Sequence, residues 1–370
     1  MDNAHNKSAD VERETVLFMS VIIIAYRRKQ FLLQAVKSVL EQDYGREHFE
    51  VIVVKAFLDN EIDEFLSEHG VMSIYSDTES YGKSISEGLL KCKGDIVLLL
   101  DDDDMFRKDK LSMINKVFRE NLNLTVAINS FKPIGDQERV NASIENFHKA
   151  ERMLINKIGL VIWDFNSYDK RLMSKVGIFF NSSRISFRKE LIPYLNGLIE
   201  RISFMCDSVP AAIAMVNRMS IASVPDELTL YRIHNENASI FLGNEKQRLV
   251  RSHTKNMTDA LTLSDFFSSL HSGISTDFLL LHRVEQLKVS VLKGDDRAIV
   301  SSAFSLFSIL ISNLKFNIRA FDKYYTSAFY SDRRTSAMHV IVNLLFVPVL
   351  IIFPKFFPKL GEKIRLMFPF

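Results

Sequence analysis

The chain is poor in cysteine and carries little net charge. Its 370 residues include only two cysteines, Cys92 and Cys206, which stand far apart and lack the CxxC spacing of metal-binding pairs. They exclude a disulfide framework and a zinc site, and they fit a reducing compartment such as the cytoplasm. A formal net charge of +2 also excludes the strong basic footprint of a protein whose main partner is nucleic acid.

The amino terminus lacks the pattern of a secretory signal. Residues 1–15 are polar, with neither a basic n-region nor an apolar h-region. We therefore interpret them as a polar tail and expect a cytoplasmic location. The remaining length suits one large domain with an appendage, because single hydrophobic cores stop growing at roughly 250 to 300 residues.

Apolar runs alternate with amphipathic segments in the first third of the chain. The run 16–25 is rich in β-branched residues and too short to cross a bilayer, which predicts a strand buried on both faces. Helical spacing follows over 31–40, and further short apolar runs lie at 49–54, 71–75 and 96–100. This alternation indicates a parallel sheet with helices on both faces. Farther along, the spacing predicts one helix over 200–218.

Four consecutive aspartates, Asp101 to Asp104, follow the fourth predicted strand directly. Like charges at this spacing repel, so solvent, a helix dipole or a bound cation must compensate for them. Ligands of such sheets bind at the carboxyl ends of the strands, where this run lies. Carboxylate oxygens suit Mg²⁺ or Mn²⁺, which often complete their coordination with substrate phosphates. The run therefore predicts a divalent-cation site.

Five segments resemble, in order, the family 2 glycosyltransferases with the GT-A fold. MSVIIIAYRRKQFLLQAVKSVLEQDY resembles the first strand and helix of that family, and FEVIVV its second strand. YGKSISEGLLKCKGDIVLLLDDDD is similar to the block that ends in the DxD motif. SSRISFRKEL resembles the acceptor-side segment, and PDELTLYRIHNENAS the element that closes the domain. Together the matches cover about 16–239, and the chain resembles a membrane-associated prokaryotic, possibly archaeal, member of the family.

The resemblance implies an α/β protein of the GT-A class, with a Rossmann-like, mostly parallel sheet flanked by helices over 16–240. A mostly helical region over 241–330 follows, where apolar residues recur at helical spacing. Residues 331–370 form a separate hydrophobic and basic segment.

The resemblance also implies a donor site. Asp101 and Asp103 supply the DxD oxygens to Mn²⁺ or Mg²⁺, and Asp104 shares the metal through water or pairs with substrate. His234 reaches the metal or the diphosphate, and Arg232 is the electrostatic partner of the diphosphate. Asp102 is interpreted as a spacer, and the remaining donor-side candidates are Tyr26, Asp59, Gly82 and Lys83.

Two donor-side positions depart from the family pattern. Lys55 follows the second strand, where the family commonly has an Asp that reads the nucleotide base, and Asp59 is the next acid available. The Arg and Asn of a common A-R-N-x-G segment are also missing. Lys83 is a substitute cation near the phosphates, or else a solvated lysine at a helix start. Arg184 and Arg188 are further phosphate-binding candidates, or members of surface ion pairs.

The resemblance places the catalytic base at Asp207, upstream of the YRIH element. Cys206 stands where the family usually has Glu. An Asp at the start of a helix is also a common N-cap, which is the alternative interpretation. A hydroxyl acceptor needs a base to remove its proton, whereas a phosphate acceptor is already ionised at neutral pH.

Together these residues imply, by the resemblance, an inverting, metal-dependent transferase with a nucleotide-sugar donor. Two alternatives to this interpretation remain open. The first is a binding or scaffold protein that keeps the GT-A fold but has lost the chemistry. The second is a haloacid-dehalogenase-like phosphatase, in which the first Asp of a DxDx motif is the nucleophile. That class expects Thr or Val at the place of Met105, and it opens its domain with the motif.

The last forty residues have the composition of a membrane-associating segment. Residues 335–354 lack Asp, Glu, Lys and Arg, and their length approaches that of a bilayer span. Basic residues flank this stretch on both sides and Pro348 lies inside it, which favours a re-entrant or in-plane helix pair on the cytoplasmic leaflet. A buried core helix or a dimerisation surface is the alternative. Membrane attachment suits a lipid-linked glycan or a polyprenyl phosphate as acceptor.

Overall fold

The structure is a computed structural model that describes residues 16–26, 28–78, 80–135, 160–163, 181–234, 246–270, 272, 274–299, 301, 302 and 305. Its strands are β1 (Met19–Ala25), β2 (Phe49–Lys55), β3 (Met72–Tyr75), β4 (Ile96–Asp101), β5 (Met105–Phe106), β6 (Leu124–Gly135), β7 (Val161–Trp163), β8 (Ile185–Arg188) and β9 (Ser220–Ile233). Its α-helices are α1 (Leu32–Leu40), α2 (Asn60–Glu68), α3 (Tyr81–Leu89), α4 (Lys110–Glu120), α5 (Ile192–Leu195), α6 (Val209–Val216), α7 (Lys246–Ser269) and α8 (Ile274–Lys293).

The strands form one mixed sheet in the order β3-β2-β1-β4-β8-β6-β9-β5, and β7 pairs with β9. Strands β3, β2, β1 and β4 are parallel, as the alternation of strands and helices predicts. Strand β8 then runs antiparallel to both β4 and β6, and β5 and β7 run antiparallel to β9. The sheet is therefore less parallel than expected, because the alternation that predicts parallel pairing ends at α4.

Alternating side chains of the central strands enter two hydrophobic cores, one on each face of the sheet. Ile22 and Ile24 of β1 join the core that contains α3 and α6, whereas Val21 and Ile23 join the core that contains α1, α2 and α4. The carboxy-terminal helices α7 and α8 pack into the first core, for instance through Phe267. The sheet is thus covered by helices on both faces, and the described carboxy-terminal part is helical.

One predicted helix is shorter than its pattern suggests. Residues 200–218 have helical spacing, yet α6 begins only at Val209, and the preceding chain contains single 3-10 turns at Ile199–Arg201 and Cys206–Ser208. Pro210 explains this start, because proline lacks an N–H and is tolerated in the first turn of a helix but not in its interior.

The predicted membrane-associating segment 331–370 and the predicted boundary at 240 lie outside the described residues. Within the described ranges, no helix combines the length and the apolar character that a bilayer crossing requires.

Candidate active site

The site lies where the carboxyl ends of β1, β4 and β9 meet. Asp101 is the last residue of β4 and pairs in register with Ile24, near the end of β1. Strand β5, just after the aspartate run, pairs with β9 through Met105 and Leu230. This pairing brings the end of β9 beside the run. The fold therefore places three separate chain segments around the four aspartates.

Three of the four aspartates can share a ligand. Asp101, Asp103 and Asp104 each present a carboxylate oxygen, and these oxygens lie within 4.8 Å of one another. Three carboxylate donors at this spacing fit the oxygen preference of Mg²⁺ and Mn²⁺. Asp102 is not part of this group, which is compatible with the spacer role expected for it.

Arg28 brings a positive charge to the run. Its guanidinium donates to Asp102 Oδ1 at 2.5 Å and to Asp103 Oδ2 at 2.6 Å. The Nε2 atom of His234 lies 2.9 Å from the same Asp103 oxygen. Burial opposes ionisation of Asp103, but the hydrogen bond from His234 and the charge of Arg28 hold the pKa of Asp103 below its ordinary value. Asp103 is therefore an ionised carboxylate at neutral pH.

Asp104 is held by two donors from other segments. The hydroxyl of Ser183 donates to Asp104 Oδ2 at 2.6 Å, and the backbone N–H of Arg232 donates to Oδ1 at 2.9 Å. The Arg232 side chain donates to the backbone oxygen of Asp103 at 2.8 Å and to Gln34 at 2.7 Å. In this structure Arg232 therefore fixes the backbone of the run.

The hydroxyl of Tyr81, at the start of α3, donates a hydrogen bond to Asp101. Burial and the nearby Asp103 carboxylate raise the pKa of Asp101 to about 6, while Tyr81 and Arg28 oppose that rise. The backbone N–H of Asp101 donates to Ser183 Oγ at 3.0 Å. Ser183 thus connects the first and last members of the run.

A buried lysine stabilises the turn of Ser183, which in turn contacts the aspartate run. Lys110 of α4 is fully buried and donates to the backbone oxygen of Ser183 at 2.6 Å and to Thr229 Oγ1 at 3.1 Å. Its ammonium also lies 3.8 Å from the centre of the Phe106 ring. Burial lowers the pKa of Lys110 well below its ordinary value, and the charge of Asp104 opposes this shift. These contacts fix the turn that presents Ser183.

Asp207 lies in the 3-10 turn Cys206–Ser208, just before α6. Burial, and next the negative charge of Asp101, raise the pKa of Asp207 well above its ordinary value. The charge of Asp101 thus acts on Asp207, although the two residues are far apart in the chain. A buried carboxyl with a raised pKa is a candidate proton-transfer group.

Comparison with known proteins shows what the part of the chain that carries the aspartate run is similar to. Residues 20–177, less than half of the chain, match the family model described as glycosyl transferase family 2. This part of the chain therefore resembles a family 2 glycosyltransferase domain. Similar curated proteins are uncharacterized glycosyltransferases of Rickettsia bellii, 28% identical over 147 residues, and of Rickettsia felis, 26% identical over 149 residues. The two alignments cover 39% of this chain but only 21% and 24% of those relatives.

A solved structure confirms the fold of this chain. The crystal structure of S. aureus TarS superimposes with a TM-score of 0.50 at 15% sequence identity. The match covers 84% of this chain and 54% of that chain. A likeness at this identity shows the fold alone, and the predicted GT-A class is thereby confirmed.

Three other donor-side candidates have varied surroundings. Tyr26 is partly exposed just beyond β1, two residues before Arg28. Asp59 accepts from the Ile62 N–H at 3.2 Å as the N-cap of α2, and it pairs with Lys29 at 2.7 Å. Lys83 is exposed on α3, and its donor role stays a prediction.

Gly82 packs against protein backbone. A Cβ built at Gly82 would lie 2.0 Å from the Ile199 carbonyl oxygen, 2.4 Å from that of Ile202 and 2.9 Å from Cys206 Sγ. The absence of a side chain thus allows α3 to contact the segment that leads to Asp207. Close approach of a phosphate to Gly82, expected from the sequence, stays a prediction.

The side chains of three basic residues noted in the sequence contact protein groups outside the aspartate run. Arg184 is buried and donates to the Asn129 carbonyl at 2.7 Å, and Arg188 donates to the carbonyls of Leu124 and Phe118 at 2.7 and 2.9 Å. Lys55 is buried and pairs with Asp63 at 2.8 Å.

Sequence reasoning missed four residues of the site, namely Arg28, Tyr81, Lys110 and Ser183. A signal for Arg28 was present, because the basic triplet 27–29 follows the first strand and so lies at the same sheet edge as the aspartates. The other three carry no comparable pattern. Tyr81 and Ser183 contact the run, and Lys110 supports Ser183, only because α3, α4 and the turn before β8 come together there.

Proposed function

We propose that the protein is an inverting glycosyltransferase that moves a sugar from a nucleotide-sugar donor to a hydroxyl or phosphate acceptor. The observation that carries the proposal is the carboxylate group of Asp101, Asp103 and Asp104 at the end of β4 in a family 2 domain. Inversion at the sugar carbon is inferred from the family resemblance.

The carboxylate group supports a metal-dependent donor site. Asp101 and Asp103 would hold Mn²⁺ or Mg²⁺, and Asp104 and His234 complete the candidate ligands. When bound, the cation supplies Lewis-acid stabilisation of the negative charge that develops on the diphosphate. Arg28 and Arg232, at the same edge, are the candidate cationic partners of the diphosphate.

The transfer exchanges one bond to the sugar for another. The bond between C1 and the diphosphate oxygen breaks, and its electron pair leaves with the diphosphate. An acceptor oxygen forms the new bond to C1, while Asp207 takes the proton of an acceptor hydroxyl. A phosphate acceptor arrives ionised, in which case Asp207 orients it.

The cation and the base are linked through Asp101. Asp207 accepts a proton only when it is ionised, and the negative charge of Asp101 contributes to its raised pKa. A cation bound to Asp101 would reduce that charge and would therefore favour the ionised form of Asp207.

The acceptor is proposed from the chain beyond the described residues. The hydrophobic and basic segment 331–370 suits association with the cytoplasmic face of a membrane, where it meets anionic lipid headgroups. A lipid-linked glycan or a polyprenyl phosphate is the acceptor class that this arrangement serves best.

A thermal-shift screen tests the donor site. The purified protein is heated with a panel of UDP- and GDP-sugars, with Mn²⁺, with Mg²⁺ or with EDTA. We expect one nucleotide to stabilise the fold only with metal, by about 2.7 kcal/mol at a hundredfold excess over its Kd. Asp103→Ala should abolish this stabilisation, and Asp102→Asn, outside the carboxylate group, should retain it.

Release of the nucleoside diphosphate from the same sugar nucleotide then tests the chemistry. Asp207→Asn should slow the release and leave the metal-dependent stabilisation intact. Stabilisation that survives Asp103→Ala would reject the donor site. The protein could instead bind the donor with metal but fail to turn it over, both without an acceptor and with lipid-linked acceptors. That result would favour the scaffold alternative.

A further inference from the structure

A buried carboxylate in the carboxy-terminal helical region contacts the segment that carries Asp207. Asp259 of α7 is 1% exposed. Its Oδ2 atom accepts from the backbone N–H groups of Phe204 at 2.6 Å and of Met205 at 3.0 Å. The Ser203 N–H lies 3.0 Å from Oδ1 and 3.1 Å from Oδ2. One side chain thus binds three consecutive backbone donors.

These bonds hold a stretch of chain that regular structure does not hold. Residues 202–205 lie between the 3-10 turns Ile199–Arg201 and Cys206–Ser208. A backbone N–H that is withdrawn from water and lacks an acceptor is destabilising, and Asp259 supplies an acceptor to three of them. Asp259 therefore selects one backbone conformation for this stretch.

Helix α3 contacts the same stretch from another direction. Gly82 allows the carbonyl groups of Ile199 and Ile202 to approach the helix, and Ser80 donates its hydroxyl hydrogen to the Ile202 carbonyl at 3.4 Å. Asp259 binds the N–H groups of the stretch, and α3 meets its carbonyls. Asp207 follows Met205 by two residues, so its position depends on both contacts.

We propose that Asp259 is a positioning residue for Asp207. By binding the N–H groups of Ser203, Phe204 and Met205, it fixes the turn from which Asp207 reaches the acceptor. The inference rests on the proposed function of Asp207 as base or acceptor-orienting group. It gives the helical carboxy-terminal region a role in catalysis that the family 2 domain match, which ends at residue 177, does not include.

The chemical reason is the strict geometry of proton transfer. A general base must come within hydrogen-bond reach of the proton that it removes, and a misplacement of about 1 Å costs on the order of 100-fold in rate. Donor binding, by contrast, depends on the aspartate run, which Asp259 does not hold in place. Loss of Asp259 should therefore reduce turnover more than donor affinity.

The test is Asp259→Asn in the full-length protein, since the amide keeps the size but replaces one acceptor oxygen by a donor. Hydrogen exchange followed by mass spectrometry should show faster exchange in the peptide that contains 202–208, and unchanged exchange in the peptide of β1. With the UDP- or GDP-sugar that stabilises the protein, kcat for nucleoside diphosphate release should fall about 10- to 100-fold, with KM for the donor largely preserved.

Glu285→Gln is the matched control. Glu285 is another buried carboxylate of the α7 and α8 pair, bonded to His253 at 2.6 Å and to Lys288 at 2.7 Å. Its substitution should leave exchange in 202–208 and kcat unchanged even where it lowers the melting temperature. Equal effects of the two variants on kcat would assign Asp259 a general structural role and overturn the proposal.

A double variant separates this inference from the proposed base. Asp207→Asn with Asp259→Asn should be no slower than Asp207→Asn alone, because both changes act on one group. Multiplicative losses would overturn the positioning role. Faster exchange in Asp259→Asn with no loss in kcat would do the same. If Asp207→Asn alone keeps full turnover, the proposed role of Asp207 fails, whatever the exchange data show for Asp259.

Discussion

At the residue scale, each of the four aspartates is paired with a side chain from another segment. Arg28 pairs with Asp102 and Asp103, Tyr81 bonds Asp101, and Ser183 bonds Asp104. The repulsion between like charges is therefore offset by specific protein groups as well as by any bound cation. Asp101 and Asp103 consequently differ in the direction of their pKa shifts although one residue separates them.

Arg28 and a divalent cation act on the same carboxylate. We predict that Arg28→Gln binds Mn²⁺ more tightly than the native protein when no nucleotide is present. The variant removes a positive charge 2.6 Å from Asp103, and repulsion between cations a few ångströms apart costs on the order of 1 kcal/mol or more. Electron paramagnetic resonance of free Mn²⁺ should report a gain in affinity of about tenfold.

Lys29→Gln is the control for Arg28→Gln. Lys29 is the next residue in the chain and also carries a positive charge, but it pairs with Asp59 outside the run. Its substitution should leave the Mn²⁺ affinity unchanged. An unchanged affinity in Arg28→Gln as well would mean that Arg28 and the cation occupy the site without competition.

At the element scale, the site depends on how closely α3 approaches the segment before α6. Ser80 caps α3 by accepting the Lys83 N–H, and Tyr81 reaches the aspartate run from its first residue. Gly82 then faces the backbone of 199–206. The first turn of α3 therefore touches both the proposed donor site and the segment that carries Asp207.

We predict that Gly82→Ala lowers the free energy of unfolding although alanine favours helices. The new Cβ would lie 2.0 Å from a backbone oxygen, which cannot move as freely as a side chain. Overpacking of this kind typically costs about 1–3 kcal/mol. Urea denaturation measures the change. Lys83→Ala, at the exposed neighbouring position, should have a small effect, and a Gly82→Ala variant as stable as the native protein would contradict the close contact.

At the scale of the whole molecule, the helical carboxy-terminal part shares a core with the sheet. Phe267 of α7 stacks on Phe278 of α8 at 5.6 Å between ring centres, and both belong to the core that includes Ile22 and Ile85. The described helices therefore stabilise the same body that carries the aspartates.

Buried carboxylates also make global stability depend on pH. The folded pKa of Asp101 is about 6, above its ordinary value of 3.8. Ionised Asp101 therefore destabilises the fold, and the native protein loses stability as the pH rises through about 6. Below the ordinary value the carboxyl is protonated in both folded and unfolded chains, and this effect disappears.

We predict that Asp101→Asn is more stable than the native protein near neutral pH in EDTA, by roughly 1–3 kcal/mol. The difference should shrink as the pH falls through about 6. Urea unfolding at several pH values measures it, and Asp43→Asn, at an exposed carboxylate, should show little difference throughout. A gain that stays constant with pH would contradict the raised pKa of Asp101.

Local patterns were sufficient to predict much of the fold. The apolar runs that became β1, β2, β3 and β4 predicted the parallel half of the sheet, and the aspartate run was placed at its carboxyl edge. The pairing in the other half, where β6 and β9 are parallel and β8 is antiparallel to both of its neighbours, was not predicted, since β8 enters between β4 and β6 from a distant part of the chain. The start of α6 was missed because helical spacing was given more weight than Pro210.

By itself, the sequence determined the strand and helix alternation, the family 2 resemblance and the place of the carboxylates, because these depend on neighbours within a few residues. Tertiary structure alone decided which groups surround those carboxylates. Arg28, Tyr81, Ser183 and Lys110 lie on separate segments, and hydrogen bonds between segments leave no periodic trace in a sequence. The contact of Asp259 with 203–205 is of the same kind, since only the packing of α7 on the sheet brings them together.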